Sequence, residues 1–114
     1  MSSIRNALRQ VRLGHHEKEF DVLVNYLDGV TCVANLMRSD HDRFSVYRNA
    51  IEVLYETICD PLVSEQWRYY CLDHVYKPLL KAERYAKSES DRIALARIKI
   101  DMQMLVPHFY RRSY

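Results

Sequence analysis

Turn-forming residues are scarce in this sequence. Its 114 residues include only two glycines, Gly14 and Gly29, and three prolines. Folds built from many β-strands need many tight turns, and those turns depend on glycine and proline. The sequence therefore predicts an all-α protein, which we expect to be an antiparallel bundle of four main helices with a short N-terminal helix.

Length and composition fit a single helical domain spanning residues 1–114. Apolar residues make up 48% of the chain, which is enough for a packed core and argues against intrinsic disorder. No apolar run approaches the roughly 18 residues of a membrane-spanning helix, and no signal peptide is recognisable. The three cysteines are odd in number and far apart. We therefore expect a cytoplasmic protein with reduced thiols and no membrane partner.

Basic residues at both ends of the chain flank a slightly acidic middle. Residues 1–16 carry three arginines and residues 107–114 carry two, with no acidic residue in either segment. The middle holds the other 12 of the 17 basic residues and all 15 acidic residues. We call these ends the basic N-terminal arm and the basic aromatic tail. Nucleic-acid binding through them is an alternative function. The arginines concerned are Arg5, Arg9, Arg12, Arg111 and Arg112.

Capping residues and prolines divide the chain into helices. The candidate N-caps are Ser39, then Asp60 or Ser64, then Ser88 or Ser90. Pro78 should kink or break the third main helix near His74, and Pro107 should end the last one. The predicted helices span residues 3–14, 17–38, 40–59, 61–87 and 89–106.

Residues 97–105, "RIKIDMQML", alternate polar and apolar side chains. A period of two is typical of a half-buried strand. However, the window contains no glycine or proline, follows a capping signal and consists mostly of good helix formers. No other segment could pair with a strand here, and unpaired backbone groups are costly when buried. We therefore predict a helix.

As a helix, this segment has two opposed apolar stripes. The Ile100 stripe consists of Ile93, Ala96, Ile100 and Met104, and the Ile98 stripe consists of Leu95, Ile98, Met102 and Leu105. One stripe can pack on the chain's own core, and the other then needs a dimer partner or another protein. The alternative is a central helix that is buried on both sides within the monomer. The candidate partner-binding residues are Ile98, Ile100, Met102 and Met104.

Aromatic and arginine side chains form two further candidate partner-binding groups. Trp, Tyr and Arg dominate interface hot spots because they combine a large apolar area with a polar handle. One group lies on the third main helix and the other in the tail, which also has residues able to stack on bases. These residues are Trp67, Tyr69, Tyr70, Phe109, Tyr110, Arg111 and Arg112.

Catalytic and metal-binding patterns are weak. Cys71 and His74 lie one helical turn apart, as a thiol nucleophile and its base or half of a zinc site would. We instead expect a buried, inert cysteine and an ordinary helix histidine. His15 and His16 precede two glutamates, and this pattern predicts weak metal binding at most. We therefore predict no enzyme activity, no metal and no cofactor.

The function expected from these observations is that of a small regulatory protein. A helical chain with a surplus apolar stripe suits a homodimer that also binds another protein. One example is an anti-activator or adaptor that inhibits a transcription regulator by masking its dimerisation or DNA-binding face. Binding of nucleic acid by the basic ends remains the alternative.

Overall fold

The computed structural model of the chain describes the backbone of residues 19–113 and the side chains of residues 21–105. Within that range the backbone forms α-helices and no strand, which confirms the all-α prediction. The helices are α1 (Glu19–Leu36), α2 (Asp40–Cys59), α3 (Glu65–His74), α4 (Tyr76–Tyr85) and α5 (Glu89–Ser113). The predicted short N-terminal helix lies outside the described residues.

Serine side chains cap three of the helices. The Oγ of Ser39 accepts a hydrogen bond from the backbone N–H of Asp42 at 3.1 Å, as predicted for the start of α2. Ser64 and Ser88 accept in the same way from the third residue after each, at 3.3 and 3.1 Å. These two serines, rather than their rival candidates, begin α3 and α5.

The segment predicted as one helix over residues 61–87 is two helices, α3 and α4, joined at Val75. Pro78 has no backbone N–H to donate to the carbonyl of His74, four residues earlier, and its ring crowds that carbonyl. The helix breaks directly after His74, so the predicted effect of this proline is confirmed.

The prediction that Pro107 ends the last helix is wrong, because α5 continues to Ser113. A proline inside a helix removes one backbone donor, whereas the other backbone bonds of this 25-residue helix remain. The tail predicted over residues 107–114 therefore continues α5 through most of its length.

Helix α2 lies at the centre of the fold and packs against all four other helices. Five of its side chains with three- and four-residue spacing are buried: Phe44, Tyr47, Ile51, Leu54 and Ile58. The most extensive contact joins α2 to α4. Ala50 and Ala82, both with 0% of their surface exposed, allow the two backbones to approach closely.

Side-chain contacts connect α2 to α3 and α4. Tyr47 stacks on Tyr85 at the end of α4, with 6.0 Å between ring centroids, and the Arg43 guanidinium lies 5.8 Å from the Tyr85 ring. At the other end, Arg68 Nε donates to the Ile58 carbonyl at 2.7 Å, which satisfies one of the last carbonyls of α2. These contacts fix α3 and α4 against the central helix.

Candidate protein-binding surface

The Ile100 stripe lies on the outer face of α5. The exposed fractions are 62% for Ile93, 57% for Ile100 and 74% for Met104, and Ala96 is also exposed. Positions 93 and 104 are eleven residues apart, so the stripe runs along about 16 Å of the helix. Scattered apolar side chains are normal on a protein surface, but these three form an aligned row on one face of one helix.

The Ile98 stripe faces the core. Leu95 and Met102 are each only 6% exposed, and Ile98 and Leu105 are half-buried against the core cluster. The two stripes predicted from residues 92–106 thus have different environments, and α5 is not buried on both sides. Ile98 and Met102 are candidate partner-binding residues by sequence, but Met102 is buried in the monomer and Ile98 is partly covered there.

Trp67 is also a core residue rather than a surface anchor. Only 1% of its surface is exposed, and Tyr70 meets its ring edge-on, with 5.9 Å between ring centroids. Tyr69 and Tyr70 are half-buried and pack against the core. Burial of the large indole contributes to folding, and only part of the surface of Tyr69 and Tyr70 remains exposed.

A groove of about 470 Å³ lies between α2 and α5 and adjoins the Ile100 stripe through Ile93. Its walls carry charged side chains of both signs, among them Glu56, Arg97 and Asp101. Tyr55 lines the same groove, and burial, followed by the neighbouring Cys59 thiol, raises the pKa of its hydroxyl. Between these charged side chains, the lining of the groove is apolar and includes Ile51, Ala94 and Ile98.

A second groove, of about 360 Å³, lies between α1 and α4. Tyr76 and Leu80 stand on its rim with 53% and 59% of their surfaces exposed. We did not predict this surface, because Lys77, Lys81 and Arg84 mark the same side of α4 as a solvated face. The sequence does contain one signal of an exposed apolar side chain here, the adjacent pair Leu79–Leu80. Two adjacent helix positions cannot both point straight into the core, so one of the two leucines must be at least partly exposed.

Cys71 lies in the core, and His74 is half-buried beside Tyr70. Cys71 has 0% of its surface exposed, and the Nδ1 atom of His74 lies 2.9 Å from the Tyr70 carbonyl oxygen. Among residues 21–105, no group of three or more His, Cys, Asp or Glu side chains is arranged to hold a metal ion. None of the three cysteines forms a disulfide.

The remaining candidate residues fall outside the side chains that the structure describes. They are Arg5, Arg9, Arg12, His15, His16, Phe109, Tyr110, Arg111 and Arg112. Of the residues predicted to bind a partner, Ile100 and Met104 are exposed together on one surface.

Within the described part of the chain, no helix is both long and apolar enough to cross a membrane. Comparison with protein-family models, with curated proteins and with solved structures gives no match to this chain.

Proposed function

We propose that this protein works by binding another protein, without catalysis, and that the Ile100 stripe is its contact surface. The observation that carries the proposal is the aligned exposure of Ile93, Ile100 and Met104 on a helix whose opposite side is already packed. Each large apolar side chain left in water forgoes about 1.5–3 kcal/mol of burial free energy. A partner that covers the row recovers part of that free energy.

The kind of partner is proposed from the type of protein. A small all-helical chain with one unused apolar helix face suits an adaptor or an anti-activator that masks a surface of a transcription regulator, and the same face suits a homodimer. Three cysteines without disulfides support a cytoplasmic location. Short connections between successive helices, such as residues 37–39, support the antiparallel bundle as part of this proposal.

Two matched aspartate substitutions on α5 test the proposal. Ile100→Asp places a charge on the exposed stripe, and we expect a folded protein that has lost self-association and partner capture. Met102→Asp places the same charge in the core, where an unpaired carboxylate is costly, and we expect it to unfold the chain. Circular dichroism reports folding. Light scattering reports size, and a pull-down from source-cell extract reports partner capture.

The outcome for Ile100→Asp decides whether the Ile100 stripe is the contact surface. If this variant is folded and still associates and captures the same proteins as the wild type, the Ile100 stripe is not the contact surface. A salt titration separates the nucleic-acid alternative, because binding through phosphate contacts weakens steeply with salt whereas apolar protein binding does not.

A further inference from the structure

The groove between α1 and α4 combines an apolar floor with a basic border. Leu27 and Val30 of α1 line it from one side, and Pro78 and the exposed Leu80 of α4 line it from the other. Tyr76 and Leu80 are four residues apart, so they stand one helical turn from each other on the rim. The surface is concave and apolar, with room for the side chains of a partner segment.

The cations beside this groove have no counter-ion in the described part of the chain. Lys77 and Lys81 line the groove, and Arg84 continues their row by one turn. None of the three takes part in an ion pair among residues 21–105, whereas Lys99 on α5 pairs with Glu83 at 3.2 Å. Asp28 is the single acidic residue among the lining residues. The border of the groove is therefore net positive.

We propose that this groove binds an acidic amphipathic segment of a partner protein. Apolar side chains of the segment fill the space beside Leu80, and its carboxylates pair with Lys77 and Lys81. A helix is a suitable form, because acidic residues one turn apart match the one-turn spacing of the two lysines. The site lies apart from the Ile100 stripe, so this inference goes beyond the proposed function and does not depend on it.

Charge and shape argue against three other occupants of the groove. Residues 1–16 and 107–114 of the chain itself carry arginines and no acid, so the lysines repel both ends. A second copy offering its α5 stripe also brings net positive charge, because residues 92–104 contain three basic residues and one acidic residue. A lipid bilayer presents a flat surface and cannot follow a concave groove. A separate acidic protein segment is the occupant that satisfies both the shape and the charge.

An NMR titration of the isotope-labelled full chain tests the inference. The probe is a synthetic amphipathic peptide of about 16 residues with leucines at helical i, i+3, i+4 and i+7 spacing and glutamates on both flanks. The control peptide has lysine in place of every glutamate. We expect the acidic peptide to shift the amide signals of residues 76–84 and 27–31 saturably, and the lysine peptide to leave them unchanged.

Charge-reversal variants locate the binding. Lys77→Glu with Lys81→Glu should weaken the acidic peptide about tenfold or more, because two attractions become two repulsions. Arg38→Glu with Arg92→Glu makes the same change in net charge at exposed positions outside both grooves and should leave the affinity unchanged. All of these positions are exposed, so the variants should fold, which circular dichroism confirms.

Several results would overturn the inference. They are absence of saturable binding by the acidic peptide, equal binding of both peptides, and equal loss in the two double variants. Another is binding to phosphatidylserine-containing vesicles, or to a single-stranded oligonucleotide, that depends on Lys77 and Lys81 while the acidic peptide does not bind. In that case the groove border serves a different polyanion.

Discussion

The Nδ1 atom of His41 lies 2.9 Å from Oδ2 of Asp91 and 3.1 Å from Oδ1. This contact joins the first turn of α2 to the first turn of α5 across fifty positions of the sequence. Asp91 is 5% exposed, so its carboxylate needs a partner, and His41 supplies one from the solvent side. The hydrogen bond to Asp91, followed by the attraction of its charge, raises the pKa of His41.

The first prediction concerns the pH dependence of stability. Since the pKa of His41 is higher in the folded chain than the usual value of about 6.5, protonated His41 stabilises the fold. That contribution is fully present below about pH 6.5 and is lost as the pH rises through the folded pKa. Urea unfolding at several pH values should show that, as the pH rises above about 6.5, the unfolding free energy of His41→Gln declines less than that of the wild type. Arg48→Gln on the same helix should keep the wild-type decline, and equal declines in all three proteins would contradict the prediction.

The second prediction concerns the N-cap of α2. Ser39→Ala removes the acceptor for the Asp42 amide and should lower the free energy of unfolding by about 1 kcal/mol. Ser45→Ala is the matched control, because the Ser45 hydroxyl donates to the His41 carbonyl inside the helix at 3.0 Å. That carbonyl takes part in the backbone hydrogen bonding of the helix, so it does not depend on the serine hydroxyl. Because alanine also favours the helix, Ser45→Ala should change the free energy of unfolding little. Urea unfolding measures both, and an equal loss would mean that the cap contributes nothing particular.

The third prediction concerns Trp67, the single tryptophan of the chain. Its fluorescence emission should lie at shorter wavelength in the folded protein than in urea, because the indole is 1% exposed. Trp67→Ala should lower the free energy of unfolding by about 3–5 kcal/mol, a large share of the stability of a small domain. Tyr69→Ala, at a half-buried position of the same helix, should cost less. An emission maximum that does not move on unfolding would place the indole in solvent.

The fourth prediction concerns the thiol of Cys71. Cys71→Ala should lower the free energy of unfolding by about 1–2 kcal/mol, because it trims a fully buried side chain. Cys32→Ala, at an exposed position, should leave stability unchanged. Metal analysis of the purified protein should find no stoichiometric zinc. Zinc that is bound one to one and lost in Cys71→Ala would show a metal site in place of an inert core residue.

Local signals explain why the helix boundaries were largely predictable. The bond from Asp42 to Ser39 forms within one turn, and Pro78 interrupts the helix within one turn of itself. Because such effects depend only on residues that are close in the sequence, they can be predicted from the sequence. Pro107 is the counterexample, since a single lost donor did not outweigh the helix around it.

The surface was less predictable because exposure depends on partners from distant segments. Periodicity separates Ile100 from Met102, but only the packing of α5 on the other helices decides which of them is covered. A tryptophan such as Trp67 is common both in protein interfaces and in protein cores, so its residue type does not distinguish the two. Its position beneath Tyr70 follows from the tertiary fold.

The central position of α2 also has a consequence for the order in which backbone amides exchange with solvent. A fluctuation that detaches α1 or α5 leaves α2 covered by its other neighbours, so amides on either outer helix can exchange by local opening. The amides around Ala50 and Leu54 become accessible only when several helices separate at once. Their exchange should therefore follow global unfolding, and the slowest-exchanging amides of the protein should form a band in the middle of α2.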